Sequence, residues 1–170
     1  TGARQYVGNW PGVTVERKTG RYRKDEGVAF VDLPGTYSLS PYSPEEVVSR
    51  DYLASGEPDV VIAVVDATSL ERSLSLVTQV LDLGIPTVVA LNMADVLEKR
   101  GDAVDASKLS EAMGCPVVPI SALKARGIDE LVSAAVGVAK GNAIPCPKAS
   151  FGDGAVLSSP DADESAVEAL

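Results

Sequence analysis

Histidine is absent from all 170 residues. Its absence removes the commonest general base and the commonest metal ligand together. Cysteine occurs only at Cys115 and Cys146. The two are too far apart for the short-spaced pairs that zinc sites use. In an otherwise cytosolic-looking chain they read as reduced thiols rather than a disulfide. No apolar run is long enough to span a bilayer, and no segment reads as a signal peptide. Phosphate binding by a nucleic-acid reader wants clustered Lys and Arg and a basic balance. A net charge of −9 argues against nucleic acid as a partner and is read as a solvated acidic surface. Chemistry in this chain therefore rests on carboxylates, hydroxyls, backbone groups or a hard metal ion.

What is present is strand–helix alternation. Three apolar runs, DVVIAVVD (59–66), PTVVALN (86–92) and PVVPI (116–120), do not alternate. Runs of this kind fit parallel strands buried on both faces. Leu70, Leu74, Val77 and Leu81 form one helical stripe, ended by Gly84 and Pro86. Ile128, Leu131, Val132 and Ala135 form another, opened by Gly127. Further helices are expected over 106–113, ended by Gly114, and over about 44–55, with Pro44 in the first turn. The alternation predicts an α/β fold with a parallel sheet. In the first third, VTVERKTGRY alternates and GVAFVD (27–32) follows closely, so these two strands pair antiparallel at the sheet edge. VGNWPG ahead of them reads as a loop. Residues 141–155 read as a linker, and 156–170 as the start of a helical domain that stops as it begins.

Ligand sites of parallel α/β sheets lie at the carboxyl ends of strands. There the sequence places DLPG (Asp32, Leu33, Pro34, Gly35), NMAD (Asn92, Met93, Ala94, Asp95) and SALK (Ser121, Ala122, Leu123, Lys124). Each motif alone could be a satisfied turn or a helix cap. Their conjunction, in this order and each at a strand end, suits a guanine nucleotide. One guanine edge carries two N–H donors, which the Asp95 carboxylate can accept, whereas adenine lacks that pair. Asn92 can bridge the base edge and the neighbouring loop, and the Ala122 amide can donate to the guanine carbonyl. Asp32 can accept from the water shell of Mg²⁺. The Gly35 amide can approach a γ-phosphate because no side chain blocks it.

With these motifs quoted, VGNWPGVTVERKTG, VDLPGTYSLSPYSPEE and GCPVVPISALKARGIDEL closely resemble the G domain of the bacterial ferrous iron transport protein B family over about residues 1–140. The resemblance implies a GTPase domain with a three-layer, mostly parallel fold and an antiparallel edge hairpin. It further implies GTP/GDP and Mg²⁺ as cofactors, with K⁺ in the parent protein. Thr14, on the loop before the hairpin, would bind Mg²⁺ only when a γ-phosphate is present, so Thr14 and Asp32 are the metal candidates. Pro11, Gly12, Val13, Thr14 and Val15 join the three strand-end motifs as nucleotide-binding candidates. Thr14, Gly35 and Thr36 are the catalytic candidates. Thr36 stands where many GTPases place a water-orienting Gln, so slow turnover is expected. Trp10 is either a surface-loop aromatic or a switch or partner contact.

Implied partners are the helical and membrane domains of the transporter and small cytosolic companion proteins. The implied location is the cytoplasmic side of a bacterial inner membrane. One departure is large. The phosphate-loop pattern G-x-x-x-x-G-K-[ST] occurs nowhere in the chain, and the central first strand that precedes it in the family is expected to be missing. The alternatives are a GTPase of ribosome or RNA maturation and a non-catalytic interaction module of the same fold.

Overall fold

A computed structural model describes residues 5–12, 15–36, 38–40 and 42–141. Val13, Thr14, Cys146 and the 142–170 part of the linker and helical-domain assignments lie outside the described residues.

Among the described residues six strands and five helices follow one another: β1 (Gln5–Asn9), β2 (Glu16–Tyr22), β3 (Asp25–Asp32), α1 (Pro44–Ala54), β4 (Val61–Asp66), α2 (Leu70–Asp82), β5 (Thr87–Asn92), α3 (Ala94–Arg100), α4 (Ala106–Met113), β6 (Val117–Pro119) and α5 (Ile128–Gly141). The later strands form a parallel sheet in the order β4-β5-β6, and the first three an antiparallel sheet in the order β1-β2-β3.

Local signals explain most boundaries. Ser43 and Glu46 close a reciprocal capping box at the start of α1, with Pro44 in its first turn. Asp105 accepts from the amides of Ser107 and Lys108 at the start of α4, and Gly114, at φ 68°, ends that helix. Gly127 opens α5, where its carbonyl accepts from Leu131.

The parallel sheet is the middle of three layers. On one face Val65, Val89 and Leu91 pack with Val77 and Leu81 of α2, Leu97 of α3 and Met113 of α4. On the other, Val88, Ala90 and Ile120 pack with Leu131, Ala135 and Val138 of α5. β5 is the central strand, buried from Thr87 to Leu91, as its unbroken apolar run predicts. Cys115 sits in the first of these cores as a free thiol, and burial pushes its pKa up to about 11. Among the described residues no helix is long and apolar enough to cross a membrane.

Three finer expectations need correction. The antiparallel strands are a sheet of their own among the described residues, not the edge of one continuous mixed sheet. Among the described residues β3 and β4 do not pair. β4, an edge strand, is buried on both faces only in part, because Val64 is 65% exposed. And VGN belongs to a strand: Gln5–Asn9 pairs with Gly20–Glu16 of β2. That stretch is short, glycine-interrupted and weak in periodicity, so only its pairing with β2 defines it.

Trp10 is likewise no surface-loop aromatic. It is 6% exposed at the end of β1, and its amide donates to Val15 O at 2.9 Å. Its ring meets Tyr52 of α1 edge-on, with centroids 4.9 Å apart. The Arg17 guanidinium lies over the Trp10 ring at 4.7 Å. This cluster fastens the antiparallel sheet to α1. At its other end that sheet is tied to α5, where the Tyr22 hydroxyl and the Lys24 ammonium both donate to Asp129, at 2.7 and 2.6 Å.

Gly127 is the position least able to change. Its φ is +78°, and a Cβ there would stand 2.4 Å from the Pro119 carbonyl oxygen. Backbone strain and a clash with the backbone of the strand end therefore combine. Gly127→Ala is expected to cost about 2 kcal/mol or more in urea denaturation. Gly137→Ala, with nothing within 4 Å of the added methyl, is expected to be neutral or slightly stabilising. Equal stability of the two variants would refute this account of the β6–α5 junction.

Candidate functional site

The carboxyl ends of β5 and β6 lie side by side because the strands are parallel neighbours, with Leu91 opposite Pro119. Two loops leave this edge, and the sequence motifs sit on them. Asn92 is the last residue of β5, and Met93 turns the chain into α3 with φ 66° and ψ 24°. Ala94 follows, its amide donating to the Ile120 carbonyl at 3.2 Å. Asp95 is thereby set in the first turn of α3 and is 6% exposed.

From β6, Ser121 is buried, while Ala122, Leu123 and Lys124 are exposed. Ser121 and Arg126 exchange two backbone hydrogen bonds, at 3.0 and 3.1 Å, so residues 122–125 form a closed loop. Ala125 in that loop has φ 52°. Met93 and Ala125 are the only non-glycine residues with positive φ among the described residues. Backbone strain is thus concentrated in the two loops that form this site.

Side chains then join the loops. The Ala122 amide donates to Asn92 Oδ1 at 3.1 Å. Asn92 therefore bridges to the neighbouring loop, as expected, and the Ala122 amide has an internal acceptor. The Lys124 ammonium stands 2.9 Å from Asp95 Oδ2. First through this ammonium, and second through the Ser121 hydroxyl, the Asp95 carboxyl is held below the usual carboxylate range. The Ser121 hydroxyl reaches no partner within regular hydrogen-bond geometry, so the ion pair is the firmer contact. One helical turn beyond Asp95, Glu98 accepts twice from the Arg126 guanidinium, at 3.2 and 2.6 Å. Neither Lys124 nor Arg126 stood out in the sequence for these contacts, because both pairs span about 28 residues and depend on how α3 lies against the loop.

Asp32, Leu33, Pro34, Gly35 and Thr36 follow β3 in the other sheet and share no hydrogen bond with the Asn92–Asp95–Ala122 cluster among the described residues. Asp32 and Gly35 are exposed. A methyl at Gly35 would meet nothing within 4 Å, and Gly35 does not have positive φ. Internal packing therefore does not require glycine there. The segment is fixed from behind: Ser49 of α1 donates to Pro34 O at 3.4 Å, and the Leu39 amide donates to Gln79 of α2 at 2.8 Å. Pro11 and Gly12 (φ 79°) are exposed in the connection from β1 to β2, and Val15 closes that connection by accepting from the Trp10 amide. No group of three or more His, Cys, Asp or Glu side chains able to hold a metal is formed among the described residues.

Comparison with known proteins places the chain in a family. A family model described as "Ferrous iron transport protein B" matches residues 1–135. The Fe(2+) transporter FeoB of Salmonella typhimurium is 52% identical over 136 residues, which are 77% of this chain and 18% of that protein. The chain thus spans about a fifth of the length of the curated relatives it matches. Among solved structures, a mutant of the S. thermophilus FeoB N-terminal region bound to GDP is 52% identical, with a TM-score of 0.81, covering 86% of this chain and 58% of that one. The cytosolic domain of the T. maritima FeoB iron transporter in a GDP form is 39% identical, also with a TM-score of 0.81, covering 88% and 59%. These matches displace the alternative of a ribosome- or RNA-maturation GTPase. With its α/β architecture and its match across most of its length, the chain belongs to the ferrous iron transport protein B family, in the N-terminal G-domain region.

Proposed function

We propose that this chain reads a guanine nucleotide at the β5–β6 edge, as the base-binding part of a GTPase domain on the cytosolic side of a ferrous iron transporter. The observation that carries the reading is Asp95, a buried carboxylate in the first turn of α3, next to a loop that Asn92 holds in place through Ala122. A carboxylate so placed can accept the two N–H donors of one guanine edge, while an adenine would leave it unpaired. Leu123, 94% exposed, and Met93, 40% exposed, offer apolar surface beside it for the faces of a ring. Related structures are bound to GDP, which supports the same ligand here.

The phosphate end is proposed from the other sheet. Asp32 is an exposed carboxylate and Gly35 an open backbone position without an internal reason to be glycine. That donor set suits Mg²⁺ held chiefly by water and substrate phosphates, with one protein carboxylate in its surroundings, rather than a protein cage. When bound, Mg²⁺ would neutralise charge on the phosphates. Asp32 would accept from its water shell, Thr14 would contribute a hydroxyl in the triphosphate state, and the Gly35 amide would donate to the γ-phosphate. With Thr36 in place of Gln, backbone groups or another side chain would orient the attacking water, and slow turnover is expected. Any K⁺ site would depend on phosphate-loop residues that this sequence does not contain. In the whole transporter, hydrolysis would be coupled to Fe²⁺ uptake through its helical and membrane domains, with small companion proteins as further partners.

Three outcomes test this reading. In a chimera carrying a relative's phosphate-loop segment ahead of residue 1, Asp95→Asn should weaken GTP binding roughly 10- to 100-fold. It should also improve binding of xanthine nucleotides, whose altered edge an amide can pair. Unchanged GTP affinity would remove Asp95 from base reading. In the same chimera Thr14→Ala should slow hydrolysis strongly and leave GDP affinity nearly intact, because GDP has no γ-phosphate to order the loop; an equal loss for GDP would make Thr14 structural. The chain by itself should bind a fluorescent GTP analogue several orders of magnitude more weakly than the chimera. It lacks charge-assisted bonds to the phosphates worth roughly 1.5–3 kcal/mol each. Micromolar binding by the chain alone would mean that other groups hold the phosphates.

A further inference from the structure

The base-reading carboxylate is already covered by the protein's own cation. Asp95 has only 8% of its side chain exposed, and Lys124 Nζ lies 2.9 Å from its Oδ2, while the Lys124 side chain is 49% exposed. From this arrangement we infer that Lys124 is a latch on the guanine site: it occupies Asp95 when no base is bound, must swing aside for a guanine, and so lowers affinity for that base. The inference rests on the guanine reading above and adds a regulating residue to it.

Two features separate a latch from a structural ion pair. The loop carrying Lys124 is anchored without it. The Ser121–Arg126 backbone pair closes the loop, and the two-pronged Arg126–Glu98 contact holds it to α3 one turn beyond Asp95. Arg126 can therefore keep the loop in place while Lys124 leaves. A Lys side chain on a flexible stem, half in water, also suits release better than a planar guanidinium fork does. A carboxylate has room for about four hydrogen bonds, so an ammonium and a base edge could share it in principle. With only 8% of the Asp95 side chain exposed, the base edge and the ammonium compete for the same small surface, and the latch works by displacement rather than sharing.

Displacement carries a free-energy cost that the incoming base must offset. Removing the ammonium should therefore tighten guanine binding, which is the reverse of what deletion of a ligand contact does. Lys124→Met keeps the stem and removes the charge; Lys124→Arg keeps a cation in place.

The test is an amide NMR titration, with GDP and with ADP as reference, of the chimera that carries a relative's phosphate-loop segment and of its two Lys124 variants. Amide shifts at Asp95 and Ala122 should half-saturate at roughly two- to fivefold lower GDP in Lys124→Met, the range for a partly exposed ion pair. Lys124→Arg should bind no more tightly than the unsubstituted chimera, and ADP should show no such gain. Equal or weaker GDP binding by Lys124→Met, with the shifts still centred on Asp95 and Ala122, would overturn the latch and leave the guanine reading standing. Absence of shifts at Asn92, Asp95 and Ala122 in all three proteins would overturn both.

Discussion

One hydrogen bond organises the edge of the parallel sheet: the Ala122 amide donates to the side-chain oxygen of Asn92. Parallel pairing brings the ends of β5 and β6 together, but it does not dictate where the chains go afterwards. The Asn92 side chain and the Ala94–Ile120 bond supply that instruction. They hold the start of α3 against the loop after β6, and Asp95, Glu98, Lys124 and Arg126 then meet in pairs. A shorter side chain at 92 could not span the gap, and an aspartate would bring a second carboxylate beside Asp95. The residue thus serves the frame first, and its value to a ligand follows from the frame.

The frame rests in turn on the burial of β5. A strand with both faces covered cannot slip in register by one residue, because every side chain would exchange one packed layer for the other. Val89 and Leu91 face α2, α3 and α4, while Val88 and Ala90 face α5. The position of Asn92 at the strand end is therefore determined by the packing beneath it. The antiparallel sheet is secured differently, by the Trp10–Arg17–Tyr52 cluster at one end and the shared carboxylate of Asp129 at the other. The second contact is exposed and screened by salt. Among the described residues the antiparallel sheet is thus tied to α1 and α5 by these side-chain contacts.

What could be read from the sequence follows the same division. The apolar runs of β4, β5 and β6 and the stripes of α2 and α5 are local patterns, and each appears where its period places it. Gly114 and Pro44 marked helix ends because their backbone preferences are also local. The strand motifs DLPG, NMAD and SALK were visible because each stands directly after an apolar run. Hidden features depend on distant partners. β1 is a strand only through β2, and Trp10 is buried only because Tyr52 arrives 42 positions later. The exposure of Val64 could not be read either, since it depends on what packs against β4 rather than on the residues of β4 itself. Lys124 is the sharpest case. In the sequence it is a lysine after a loop motif, and only the approach of α3 makes it the counter-ion of Asp95.

Strain and charge at the site point the same way. Met93 and Ala125 hold left-handed backbone geometry that glycine would adopt without cost. Neither is glycine, so each loop carries a conformational cost that the surrounding bonds must offset: Ala94 to Ile120 for one, Ser121 to Arg126 for the other. The turn at Met93 is what aims the first residues of α3, and with them Asp95, at the loop after β6. The turn at Ala125 is what brings Arg126 back to Ser121 while leaving Lys124 on the outer side, within reach of Asp95. A relaxed path at either position would separate the carboxylate from the ammonium. The Asp95–Lys124 ion pair is therefore a product of two strained turns.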